Sequence, residues 1–158
     1  VLSPDGWLNT GDLAYRVGKN IVITGREKDL IILNGRNIWP QDLEYLAEQQ
    51  TEVRTGDTSA FSVTDGDGEE RAVLMVECRE SKEEKRADLR KRLHRQIQEE
   101  FGIDCLIELV PRNTLHRTTS GKLSRSGAQK EYLERIAAER SSGPAEDLYA
   151  ATLRRRAV

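Results

Sequence analysis

Cysteine, histidine and aromatic residues are all scarce in this chain of 158 residues, which holds two cysteines, two histidines and 5% aromatics. Cys78 and Cys105 stand alone, with no Cys-x-x-Cys pair and no zinc-ligand spacing. A disulfide scaffold and a local zinc motif are therefore excluded, and a reducing, cytoplasmic setting is expected. His94 and His116 are too far apart in sequence to form a local metal pair, so no metal-ligating residue is singled out. No apolar run reaches the ~18 residues of a membrane-spanning helix, and none is expected to span a bilayer. An excess of one charge is missing as well. The 25 basic side chains face 27 acidic ones, for a formal net charge of −2, so no overall basic field points to nucleic acid. The basic run Arg90–Arg95 lies among as many acids and reads as a solvated helix face. Initiator methionine and signal-like segment are both lacking, and the opening "VLSPDGWLNTGD" is expected to come from the middle of a longer protein.

What is present is a polar, charge-rich chain, 33% charged and 37% hydrophobic, long enough for one domain with its own core. "LAYRVGKNIVITG" predicts a hairpin around Gly18-Lys19-Asn20, and "DLIILNGRNIW" a second one at Asn34-Gly35, the strongest two-residue turn signal in the chain. Pro40 is placed to open a helix whose apolar side is Leu43, Leu46 and Ala47, with Asp42 and Glu44 at its positive end. "SAFSVTDGDGEERAVLMVEC" predicts two strands joined by a turn at 65–68. Ser81 and Glu84 have capping-box spacing, and Leu89, Leu93, Ile97 and Phe101 recur every fourth residue up to Gly102. The strand Cys105–Val110 stops at Pro111, and a last helix from about 124–126 to 140 is expected to bury Leu133, Ile136 and Ala137. "SSGPAED" has linker composition, with a short closing helix after it. The pattern predicts an α+β fold, a small antiparallel sheet of about three strands flanked by helices, plus β-hairpins.

Three stretches carry chemistry. "HRTTSGKLSR", His116–Arg125, sets one lysine on a turn of small and hydroxyl residues. It is not a phosphate-binding Gly-x-x-x-x-Gly-Lys-[Ser/Thr] loop, because His116 and Leu123 occupy two of its required positions. The small residues let a ligand approach the backbone closely, and Lys122 offers a compact charge on a long stem. A solvated loop and an anion site both remain open on these residues alone. "WLNTGDL" places Asp12 after Thr-Gly, either as a turn cap or as an acceptor for a ribose diol. "GREKDLII" places Arg26 at a strand end, where it can donate to a sugar or phosphate, and Lys28-Asp29 between two hairpins as a plausible hinge.

The order and spacing of these stretches resemble successive signatures of the adenylate-forming enzymes, the superfamily of acyl-CoA synthetases, nonribosomal-peptide adenylation domains and luciferases. The resemblance runs from about Gly6 to Tyr132. The segment "LNGRNIWPQDLE", Leu33–Glu44, looks like the form found in fatty acyl-AMP ligases, whereas relatives that use coenzyme A more often carry a lysine near Ile32. The resemblance implies an ATP- and Mg²⁺-dependent enzyme that joins a fatty acid to AMP. It then passes the acyl group to the phosphopantetheine thiol of an acyl carrier protein. An acyl-CoA synthetase acting on coenzyme A is the alternative within the superfamily, and a catalytically silent module that docks a carrier protein is the alternative outside it.

The same resemblance assigns roles. Asp12 would accept the ribose hydroxyls of ATP or AMP, and Arg26 would contact the ribose or a phosphate. Lys28 would be the hinge, Gly35 would lie in the turn that faces the thiol arm, and Lys122 would be the catalytic lysine. Residues 1–27 would end the large N-terminal domain, which holds most of the nucleotide and metal site. Residues 28–140 would form the swinging subdomain and 141–158 a linker and tail. The partners implied are that N-terminal domain, the fatty acid, and the carrier protein or coenzyme A.

Overall fold

Left-handed backbone at a few positions builds the first third of the chain. In the computed structural model, which describes residues 2–66 and 68–142, β1 (Asp12–Val17) and β2 (Asn20–Arg26) pair antiparallel across a turn in which Gly18 takes φ 60°. A short 3-10 turn, Glu27–Asp29, leads to β3 (Ile31–Leu33) and β4 (Arg36–Ile38). Between them Asn34 and Gly35 have φ of 51° and 75°, the doubly left-handed turn that an Asn-Gly pair favours. Pro40 then occupies the first turn of α1 (Pro40–Glu48), whose buried residues are Pro40, Leu43, Leu46 and Ala47.

The central sheet comprises β5 (Val53–Thr64), β6 (Glu70–Cys78) and β7 (Cys105–Val110), in the order β5-β6-β7. The first pair is antiparallel, as expected. The second is parallel, in register from Ala72↔Cys105 to Glu77↔Val110, so the sheet is mixed rather than antiparallel. The α+β class stands. The reason for the parallel strand is α2 (Glu83–Phe101). Its 19 residues span about 28 Å, close to the roughly 30 Å of the 9-residue β6. The helix therefore returns the chain to the start of β6, and a helical crossover is what a parallel neighbour requires.

β6 is covered on both faces. Ala72, Leu74, Val76 and Cys78 point into a core shared with Leu43, Leu89, Leu93 and Ile97 of α1 and α2. Val73 and Met75 point the other way, into a core shared with Ala128 and Tyr132 of α3 (Arg125–Ser142). This alternation is the period-2 geometry of a strand. The stripe on α2 behaves as its spacing predicts: Leu89, Leu93 and Ile97 are fully buried, Phe101 packs at the edge, and Gly102 ends the helix with φ 63°.

Two helix ends differ from expectation. Ser81 and Glu84 form no capping box. The helix begins one residue later, with Lys82 at its cap and no side-chain cap bond. Glu80 lies upstream, where its Oε1 accepts the Lys82 backbone N–H at 2.9 Å. That bond, with help from Lys85, holds the Glu80 carboxyl below the usual range. On α3 the buried stripe is Ala128, Tyr132 and, partly, Ile136, while Leu133 and Ala137 face outward. The register is set by the Tyr132 ring, which meets Phe61 edge-on at 5.9 Å, and residues four apart share its face. The linker and closing helix expected from 143 onward lie outside the described residues, and Ser141 and Ser142 belong to α3.

Candidate functional site

Asp12 and Arg26 are the first register pair of the β1–β2 hairpin. Register brings their side chains together, Arg26 Nε lying 3.3 Å from Asp12 Oδ1. Both remain open to solvent, the Asp12 side chain by 32% and that of Arg26 by 57%. The turn before them is shaped locally, since Asn9 Oδ1 accepts the Gly11 N–H and Thr10 Oγ1 accepts the Asp12 N–H. A carboxylate and a guanidinium side by side at the mouth of a hairpin can together address a diol and an adjacent anion.

The hairpin is seated on the start of α1. Gln41 Nε2 donates to the Thr24 carbonyl at 2.6 Å, and the Trp39 ring lies against Gly25 so closely that a Cβ there would meet it at 2.6 Å. Away from that seat the hairpin is bare. Tyr15, Val17, Ile21 and Ile23 are all more than half exposed, as are Leu2, Trp7 and Leu8 before it.

Lys28 is exposed within the 3-10 turn. Gly35 stands at the tip of the β3–β4 hairpin with open space where a side chain would be. Arg36, next in sequence, donates from Nη1 to the Phe101 carbonyl at 2.8 Å. A cation on the last carbonyls of α2 suits the negative end of that helix and fixes the hairpin to it.

The Lys122 turn is more ordered than its composition suggests. Thr118 N–H donates to the Lys122 carbonyl and Gly121 N–H to the Thr118 carbonyl, each at 2.8 Å, with Gly121 at φ 80°. Arg117 and Leu123 form an antiparallel bridge across the base. The Thr118 and Ser120 hydroxyls face each other at 2.9 Å. Lys122 itself is exposed, and its ammonium has no hydrogen-bond or ion-pair partner among the described residues. Neighbouring arginines hold the turn at both ends. Arg117 donates from Nη2 to the Gly56 carbonyl (2.7 Å) and to Asp57 Oδ1 (2.9 Å), and from Nη1 to the Gly121 carbonyl (3.3 Å). Arg125 donates to both oxygens of Glu44, at 2.9 and 2.7 Å, and to Asp29 Oδ2 at 3.3 Å. The Glu44 hydrogen bonds keep the Arg125 guanidinium even more firmly protonated than usual.

Thus Asp12 and Arg26 touch, while no bond joins Lys122 to either of them, to Lys28 or to Gly35. Asp57, Trp39 and Gln41 are site-building residues that sequence reasoning missed; Glu44 and Asp29 were read as helix-end and hinge charges, without their tie to Arg125. Arg125 stood in the lysine stretch itself, and Glu44 in the Pro-Gln-Asp-Leu-Glu segment; only their pairing was hidden. No group of three His, Cys, Asp or Glu that could hold a metal occurs among the described residues, and no helix among them is long and apolar enough to cross a membrane.

Comparison with known proteins meets this geometry. Residues 35–127 match the family model described as the AMP-binding enzyme C-terminal domain. A Caulobacter vibrioides protein named as an acyl-CoA synthetase is 46% identical over 134 residues, 84% of this chain and 23% of its own length. A Mycobacterium tuberculosis protein named as the long-chain-fatty-acid–AMP ligase FadD30 is 36% identical over 142 residues, 83% of this chain and 24% of its own. A solved structure from a study of fatty acyl-adenylate ligases of E. coli and L. pneumophila superposes with a TM-score of 0.75 at 48% identity, covering 85% of this chain and 24% of that one. The chain spans about a quarter of the length of these relatives. With more than half of its residues inside the matched region, it belongs to the AMP-binding enzyme C-terminal domain family.

Proposed function

We propose that this chain is the C-terminal part of a fatty acyl-AMP ligase, with residues 28–140 as a subdomain that swings about Lys28. The observation that carries the reading is the Lys122 turn: a free, solvent-facing ammonium on a turn whose two ends are fixed by buried-side ion pairs. A merely solvated lysine needs no such scaffold. The bare apolar hairpin supports assigning 1–27 to the end of a large domain, and 141–158 is assigned to a linker and tail.

In the first half-reaction a fatty carboxylate oxygen attacks the α-phosphorus of ATP, forming the acyl–phosphate bond as pyrophosphate leaves. Lys122 neutralises charge on the oxygens at that phosphorus, at a site fixed before the reaction begins. Asp12 accepts the ribose hydroxyls and Arg26 donates beside it. Among the described residues no group of His, Cys, Asp or Glu fits a Mg²⁺ site. In the second half-reaction a thiol attacks the acyl carbonyl and AMP leaves, with the Lys122 turn rotated away and the Gly35 tip, which has no side chain, facing the incoming arm. The acceptor is the phosphopantetheine of a carrier protein. Support for that choice over coenzyme A is the Leu33–Glu44 segment and the similarity to proteins named as fatty acyl-AMP or acyl-adenylate ligases.

Lys122→Ala in the full-length protein tests the reading. Loss of one such charge donor costs ~3–4 kcal/mol, roughly 10²–10³ in rate. Fatty-acid-dependent ATP–pyrophosphate exchange should fall by that order, while thiol transfer from supplied acyl-AMP stays near normal. An undiminished exchange rate would sink the reading. Comparing coenzyme A with a phosphopantetheinylated carrier as acceptor separates the two ligase classes.

A further inference from the structure

Arg125 joins its own helix to two separate parts of the molecule. It begins α3, three residues after Lys122, and its fork closes on both oxygens of Glu44 in α1 at 2.9 and 2.7 Å. Its remaining nitrogen, Nη1, reaches Asp29 at 3.3 Å, the residue directly after Lys28. Glu44 in turn accepts the Ala60 backbone N–H of β5 at 3.0 Å. Both carboxylates are largely shielded, with side-chain exposures of 15% for Glu44 and 21% for Asp29. Partly buried, bidentate arginine–carboxylate pairs fix direction as well as distance. A surface pair would leave the two elements free to drift.

Resting on the proposed function, we propose that Arg125 is a positioning residue that ties the Lys122 turn to the hinge through Asp29. Rotation at Lys28 is thereby transmitted to the lysine without slack. Glu44 anchors the guanidinium to the body of the subdomain, and Asp29, its first residue after Lys28, holds it to the axis of rotation. Lysine cannot replace this arrangement, since it has a single charged nitrogen where three are used. Arg117 holds the other end of the turn to β5 and, among the described residues, has no bond to Lys28 or Asp29.

The test uses the full-length protein with Asp29→Ala, Arg125→Lys, their combination, and Lys122→Ala as reference. Asp29→Ala keeps the Glu44 fork and cuts only the contact to the hinge, so it remains informative even if Arg125→Lys fails to fold. Misplacement of a catalytic group by about an ångström costs up to roughly 10²-fold. Asp29→Ala and Arg125→Lys should therefore each lower kcat of acyl-AMP formation about 10- to 100-fold, with KM for ATP and fatty acid unchanged. Transfer from supplied acyl-AMP should be retained, and the double variant should be no slower than the worse single one. Additive losses, equal loss in both half-reactions with a matching fall in melting temperature, or full activity of Asp29→Ala would each overturn the inference. An undamaged Lys122→Ala enzyme would overturn the proposed function itself, and this inference with it.

Discussion

Replacing Gly25 with alanine probes the seat of the hairpin that carries Asp12 and Arg26. A Cβ at this position would lie 2.6 and 2.9 Å from two ring carbons of Trp39 and 3.1 Å from Gln41 Nε2. Ordinary contact begins near 3.4 Å, so strand and ring must part by about 0.8 Å. The indole is a rigid plane at the N-cap of α1, and Pro40 directly after it restricts the backbone. The displacement therefore falls on the hairpin, where it also strains the 2.6 Å bond from Gln41 to the Thr24 carbonyl. Overpacking of this kind costs about 1–3 kcal/mol, which for a chain of this size lowers the melting temperature by about 2–4 °C per kcal/mol. Thermal melts of the 158-residue chain should show that fall, with a red shift in tryptophan emission as Trp39 loses cover. In the full-length enzyme Arg26, the next residue, moves with the strand, and pyrophosphate exchange should drop by up to ~10²-fold. An unchanged melt, unchanged emission and full exchange would refute the claim that Gly25 seats the hairpin.

Three further outcomes are expected. Glu80 has a carboxyl held below the usual range by the Lys82 N–H. Such a group stabilises above the ordinary glutamate range near pH ~4.3 and ceases to do so as pH falls through its lower folded value. Glu80→Gln should therefore melt below the parent at neutral pH, with the gap closing in acid. Lys28→Pro in the full-length protein should impair one half-reaction far more than the other if Lys28 is the proposed hinge, because proline would fix φ where rotation has to change it; equal loss in both would place the hinge elsewhere. The chain by itself should bind ATP no tighter than about millimolar, ~4 kcal/mol, by calorimetry, since in the proposed reading Asp12, Arg26 and Lys122 supply only part of a site. Micromolar binding would refute that.

Much of the fold was legible because its signals are local. The Asn34-Gly35 turn, the Pro40 start and the Leu89–Leu93–Ile97 stripe each depend on neighbours a few residues away, and each formed where expected. The parallel pairing of β7 was not legible, because it depends on whether the length of α2 matches that of β6. The capping box did not form, and the helix begins one residue later, at Glu83, with Lys82 at the cap and Glu80 accepting the Lys82 N–H just before it. On α3 several apolar residues competed for one face, and contact with Phe61 selected Tyr132 over Leu133.

The site divides along the same line. The chemistry of Lys122, Asp12 and Arg26 is written in short stretches, because a charge and a turn need only adjacent residues. Their placement is not. Arg125 finds Glu44 across 81 positions and Asp29 across 96, and Arg117 finds Gly56 across 61. A lysine on a small-residue turn reads the same whether it is solvated or catalytic, since its own side chain has no partner in either case. What separates the two is the effort spent on its neighbours. Arg117 stays 40% exposed, but Arg125 sits against Glu44 and Asp29, 15% and 21% exposed, and bringing those charges out of water costs desolvation. Glu44 also takes the Ala60 N–H, so the pair ties α3 to α1 and β5; in the proposed reading the same tie fixes where the ammonium stands when ATP and the fatty acid meet it.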